Sequence, residues 1–98
     1  MTSFNVSRFV NSSFIKYVSY DIQSATLRVI LQDGRGYDYL RVPPRVYRGL
    51  ALARSVGSFF NSQVKPQYRC IQVDANVLTR FALDIAEQLQ ADALLRSH

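Results

Sequence analysis

The chain predicts an α+β fold: a three- to four-stranded antiparallel meander covered by one helix and followed by a long carboxy-terminal helix. Three observations carry this. Residues 25–32 alternate, with Leu27, Val29 and Leu31 on one face and Thr26, Arg28 and Ile30 on the other, and they end on Asp33-Gly34, the chemistry of a hairpin turn. Pro43-Pro44 stops a strand and suits the first turn of a helix, after which Val46, Tyr47, Leu50, Ala51 and Arg54 fall at helical spacing. Beyond Asp74, a helix cap, Val77, Phe81, Ile85 and Leu89 recur every four residues.

The elements follow in order. Residues 1–11 are Ser/Asn-rich with scattered apolar side chains and predict an irregular lead-in. Residues 14–20 are dominated by Phe, Ile, Tyr and Val, a strand composition, and Asp21-Ile22-Gln23-Ser24 supplies a turn. The alternating strand and the Asp-Gly turn come next, and residues 36–42 return as a third strand. Ser55-Val56-Gly57-Ser58 breaks the helix after the two prolines, and Ser55 or Ser58 can cap a second short turn holding Phe59 and Phe60. Pro66 ends that unit, and residues 68–73 can pair as a fourth, edge strand. The organisation is a lead-in (1–11), one α+β body (12–73) and an amphipathic helix (74–98).

With 98 residues, 48% hydrophobic and 12% aromatic, the chain is one domain with enough apolar surface for a modest core. No apolar run is long enough to span a membrane, and the start lacks the continuous apolar stretch of a signal peptide. The single cysteine, Cys70, excludes an internal disulfide and fits a reducing compartment, so a cytoplasmic location is expected. Charge is unevenly placed. Residues 1–73 hold ten Lys/Arg against three Asp, a net of +7, and residues 74–98 hold two Arg against four acids, a net of −2. A basic body attracts phosphate polymers, anionic lipid or acidic proteins without choosing among them.

Several pieces, in order, resemble one family. Ser12-Ser13 with Ile15 and Val18-Ser19-Tyr20-Asp21 form an opening strand, and Leu27-x-Val29 with Asp33-Gly34 form a hairpin. Tyr37-Asp38-Tyr39 is a central Tyr-x-Tyr, and Val42-Pro43, Val46-Tyr47, Leu50 and Ala53 make a strand-to-helix junction. Ser55-x-Gly57 with Phe60-Asn61, and then Tyr68, complete the set. Over residues 12–69 this ordered set resembles the KTSC domain, found at the carboxy-terminal end of some lysyl-tRNA synthetases and as a stand-alone small protein. The synthetase context implies an RNA-binding role. The chain departs from the family pattern in its helix after Asp74 and in the arginines at 41, 45 and 48.

Catalysis finds no support in the residues. His98 is the only histidine and stands last, and Cys70 has no histidine near it. Ser12, Ser13 and Ser55 lack a partner base, and Asp21, Asp33 and Asp38 suit turns and strands. No metal-ligand spacing is present, and Gly34-x-Gly36 is too short for a phosphate loop, so no cofactor or metal is expected.

Two readings of the tyrosines stand, separated by one residue of loop length. A two-residue loop puts Tyr37 and Tyr39 on the face of Ile30 and Arg28, a basic aromatic platform suited to base stacking. A three-residue loop with Gly34 left-handed sets them across from Val29 and Leu27 in the core. The second is favoured, because alternating Leu-Val-Leu needs aromatic cover. Arg41, Arg45, Arg48, Arg54 and Lys65 then form the candidate phosphate-binding set, with stacking by Tyr37, Tyr39 or Tyr47 as its addition. Arg45 and Arg48 share a helix face; the competing reading is that these arginines are simply solvated charges.

The function expected is a non-catalytic nucleic-acid-binding module, for RNA more than DNA. The alternative is a protein-interaction or regulatory module of the kind phages and mobile elements encode. There the basic face meets an acidic protein, and the stripe Val77, Phe81, Ile85 and Leu89 pairs with a partner or with a second copy in a dimer; for the stripe itself, packing on the sheet or the first helix of the same chain is the favoured expectation.

Overall fold

The computed structural model describes residues 4, 6–10 and 12–96. Five strands form one antiparallel meander in the order β1 (Val6–Phe9), β2 (Ile15–Asp21), β3 (Thr26–Leu31), β4 (Gly36–Tyr39) and β5 (Cys70–Gln72). Between β4 and β5 run α1 (Pro44–Leu52), α2 (Val56–Phe59) and a π-helical turn, Phe60–Val64; α3 (Ala75–Arg96) closes the chain. The α+β architecture expected from the sequence is present. Two details differ. Residues 6–9 of the expected irregular lead-in are an edge strand, with Val6 opposite Tyr20 and Phe9 opposite Tyr17. The cover on the meander is also more than one helix, because α2 and the π-helical turn extend α1.

The β3–β4 hairpin has a three-residue loop. Gly34 donates to the Leu31 carbonyl at 3.0 Å and Leu31 donates to the Arg35 carbonyl at 2.8 Å, with Gly34 left-handed at φ +94°. The left-handed last position of such a loop is one that glycine takes without steric cost. The register follows: Tyr37 faces Val29 and Tyr39 faces Leu27.

A bulge between Ile15 and Tyr17 shifts the alternation of β2, so that Ile15 shares a face with Val18 and Tyr20. Ile15, Val18 and Tyr20 point to the front of the sheet with Leu27, Val29 and Tyr39, and there they meet Tyr47, Leu50, Val56, Phe60 and Val64 of the helical layer. The back carries Tyr17, Ser19 and Arg28, all buried. Its cover is the first half of α3, where Phe81 packs edge-on to Tyr17 at 6.2 Å and to Phe4 at 5.6 Å. Leu78 of α3 sits over the glycine that begins β4: a Cβ on Gly36 would stand 2.6 Å from Leu78 Cδ2. The molecule therefore has three layers, with helices α1 and α2 in front, the sheet in the middle and α3 behind.

The junction that launches α1 is tied to the far hairpin. Val42 donates to the Ala25 carbonyl at 2.8 Å, and its own carbonyl accepts from the Tyr20 hydroxyl. Arg41, at φ +56°, makes the sharp bend just before it, and Pro43 and Pro44 start the helix. Helix α2 is capped by Ser55, whose Oγ accepts from the Ser58 N–H at 3.3 Å, and Asp74 caps α3 by accepting from the Asn76 N–H at 2.8 Å. Among the described residues no helix is long and apolar enough to cross a membrane.

Candidate nucleic-acid interface

The tyrosines of the expected stacking set are placed by the front core. Tyr39 is 4% exposed and meets the Phe60 ring edge-on at 5.4 Å. Burial, with the Cys70 thiol beside it, pushes its phenol up to about 12. Tyr47 is 8% exposed and stacks on Tyr20 at 5.2 Å with the rings 16° apart. Tyr37 is half-buried against the same core, and its hydroxyl accepts from Arg35 at 3.4 Å. Tyr39 and Tyr47 offer no open ring face to a base. Stacking through them is corrected to packing, because the three-residue loop directs the β4 tyrosines forward and α1 lays Tyr47 onto β2.

The back face, where a two-residue loop would have set a basic aromatic platform, is internally neutralised. Arg28 donates through Nε to Asp38 Oδ1 at 2.8 Å and through Nη2 to Oδ2 at 3.0 Å. Its guanidinium carbon lies 4.5 Å from the centroid of Phe4 and 4.8 Å from that of Phe81.

The cations of the helical layer are different. From residue 40 to residue 73 there are six Lys/Arg and no carboxylate: Arg41, Arg45, Arg48, Arg54, Lys65 and Arg69. All are exposed, and none makes an ion pair with a described residue. The three carboxylates of the body are each engaged locally. Asp21 accepts from Gln23 and Ser24 in its turn, Asp38 holds Arg28, and Asp33 holds Arg35 at 2.7 Å. The Arg35 guanidinium keeps the Asp33 carboxyl below its usual range. Arg45 and Arg48 lie on α1, Arg41 at its entry, Arg54 between α1 and α2, and Lys65 just after the π-helical turn. All five expected cations thus belong to one layer of the molecule.

The sequence did not reveal a cleft at one end of that layer. It has a volume of about 340 Å³ and is lined by Ser12, Ser13, Arg54, Ser55, Ser58 and Asn61 above a floor of Phe14, Val56 and Gly57. Two segments some forty residues apart meet there because Gly57 has no side chain; a Cβ on it would stand 2.7 Å from the Phe14 ring. The Ser12 segment is held by Gln32, whose amide donates to the Ser12 and Ile15 carbonyls at 3.2 and 3.3 Å. Ser12-Ser13 and Ser55-x-Gly57 with Asn61 were visible as separate motifs, but their meeting is tertiary.

The carboxy-terminal stripe divides. Phe81 is buried on the sheet and Ile85 is half-buried, whereas Val77 and Leu89 are exposed. Leu83 and Leu94 are exposed as well.

Comparison with known proteins places this body among relatives. A protein of Tsukamurella paurometabola is 39% identical over 62 residues, covering 63% of this chain and 92% of its own length. An uncharacterized protein of Stutzerimonas stutzeri is 38% identical over 66 residues, covering 66% of this chain and 93% of its own. A lysine–tRNA ligase of Nostoc punctiforme is 36% identical over 61 residues, which are 62% of this chain but only 11% of the ligase. The crystal structure of a KTSC domain protein from Yersinia pestis superposes with a TM-score of 0.66 at 30% identity, covering 70% of this chain and 97% of that one. The KTSC domain profile matches residues 11–68, more than half of the sequence and the part that holds the five expected cations and the polar cleft, and the chain belongs to the KTSC domain family.

Proposed function

We propose that the chain is a non-catalytic nucleic-acid-binding module, for RNA before DNA, that grips phosphates with the cations of its helical layer. The observation that carries this reading is the separation of charge. Every body carboxylate is tied up within the fold, and Arg41, Arg45, Arg48, Arg54 and Lys65 have no ion pair among the described residues. Unpaired cations concentrated on one layer attract a polyanion by releasing its counterions. A similar segment within a lysine–tRNA ligase supports RNA as the polymer. A cytoplasmic location fits both that partner and an exposed thiol at Cys70.

Fluorescence anisotropy with mixed-sequence single-stranded RNA and DNA tests the reading. For three to five phosphate contacts, affinity falls with salt on a log–log slope of about −2 to −3.5. Absence of binding at low salt, or binding indifferent to salt, overturns it.

A second reading rests on α3. Val77, Leu83, Leu89 and Leu94 are exposed on a helix that lies beyond the family match, which suits an interaction with a protein or a second copy. Replacing the exposed Leu83 and Leu89 with Ser separates the two, because it leaves the buried Phe81 in place: nucleic-acid binding survives it, and self-association or partner binding does not.

A further inference from the structure

We infer that the cleft between the Ser12-Ser13 segment and α2 is a phosphate-binding subsite, resting on the nucleic-acid reading for the polymer that would supply the group. Its lining is polar, and no carboxylate is among the lining residues. Arg54 supplies a fixed positive charge with five N–H donors, and neither it nor Ser13 or Asn61 makes a side-chain hydrogen bond to any described residue. Their neighbours are already organised. Ser12 Oγ accepts from the Phe14 and Ile15 N–H groups at 3.3 and 3.2 Å, and Ser55 Oγ donates to Ser58 Oγ at 2.9 Å. The cleft thus combines hydrogen-bonded walls with three uncommitted donor groups, one of them a guanidinium.

That chemistry selects among ligand classes. The cleft lacks the carboxylate, imidazole and thiolate ligands from which metal sites are mainly built, and Arg54 adds a positive charge that repels a cation. An apolar ligand would strand the donors without partners. A phosphate oxyanion accepts from a guanidinium, a hydroxyl and an amide N–H alike, and the guanidinium fork matches two of its oxygens. The phosphate can be a group on a nucleic-acid strand or a free one, and the cleft is wide enough for either.

The test follows backbone amide signals of Gly57 and Asn61 in the full chain by heteronuclear NMR. Inorganic phosphate, a 5′-phosphorylated tetranucleotide and the same tetranucleotide without the terminal phosphate are titrated in turn. Shifts at both residues with the phosphorylated oligonucleotide, weakened at least fivefold by Arg54→Gln, support the subsite with a strand phosphate in it. Shifts with inorganic phosphate alone, equally sensitive to Arg54→Gln, support the subsite with a free phosphate as its occupant. Silence of Gly57 and Asn61 with all three ligands overturns the subsite, even if the chain binds long RNA. An Arg45→Gln/Arg48→Gln variant keeps the two failures apart: it weakens long-RNA binding and leaves the response to inorganic phosphate in the cleft unchanged.

Discussion

Asp38 and Arg28 form a two-pronged ion pair across neighbouring strands, with N–O distances of 2.8 and 3.0 Å, sealed under the Phe81 ring. The middle residue of the Tyr-x-Tyr motif therefore anchors the back of the sheet while its flanking tyrosines fill the front. Alternation along one strand gives the two functions to neighbouring positions. Arg28 is 8% exposed, so its charge depends on this one carboxylate and the two aromatic faces.

Replacing Asp38 with Asn leaves that guanidinium buried without its counter-charge. The expected loss is about 2–3 kcal/mol, below the roughly 3–5 kcal/mol of a fully buried pair, because the Asp38 side chain keeps 20% of its surface in water. Urea denaturation measures it. Replacing the pair together, as Arg28→Met/Asp38→Leu, is expected to cost less than Asp38→Asn alone; an equal or larger cost refutes the account.

Along α3, position decides energy. Phe81→Ala removes a ring that is 3% exposed and touches Tyr17, Phe4 and Arg28, for an expected loss of about 3 kcal/mol. Leu89→Ala, at a residue 52% exposed, changes stability by no more than about 0.5 kcal/mol. Thermal unfolding of the two variants checks the contrast.

Tyr39 gives the fold an alkaline limit. Its phenol is raised from 10.0 to about 12 in the folded chain, chiefly by burial. Between those values the unfolded chain has released the proton and the folded chain keeps it, so the unfolded state binds fewer protons and stability falls as pH rises. The contribution is whole below pH 10, declines through the interval to about 12 and is gone above it. Denaturant midpoints measured upward from pH 9 should show this decline, and Tyr39→Phe should reduce it, the remainder belonging in part to Tyr20, whose phenol burial also raises.

For the nucleic-acid reading, Arg45→Gln/Arg48→Gln is the decisive variant. Both side chains are exposed, so the melting temperature should hardly move. Affinity for single-stranded RNA should fall for all sequences alike, with the salt slope reduced by about 1.4, or 0.7 for each lost phosphate contact. An unchanged slope with unchanged affinity excludes α1 from the interface.

Much of the body is legible in one dimension. The alternation of Leu27, Val29 and Leu31, the prolines before α1, the Ser55 cap and the Asp74 cap each act through local geometry, and each element stands where its residues predict it. The hairpin parity was legible as a choice, and Gly34 at φ +94° settles it by closing a three-residue loop. Strand β1 was not legible, because Ser/Asn-rich residues become a strand only by pairing with the free edge of β2. The α3 stripe was legible in part: Phe81 and Ile85 pack on the sheet, the favoured expectation, whereas Val77 and Leu89 do not, for a geometric reason. A step of four residues turns the helix by about 400°, so the row drifts by about 40° at each step and winds off the sheet after Phe81 and Ile85.

The sequence by itself determined the α+β class, the family, the order of the elements and the excess of positive charge, since all of these rest on neighbours in the chain. Tertiary structure alone decided which charges remain available. It spent Arg28 on Asp38, turned Tyr39 and Tyr47 inward, and brought Ser13, Arg54 and Asn61 to one cleft. Burial and pairing depend on what a fold places across from a residue, and a one-dimensional pattern holds that only where the partner is a few residues away.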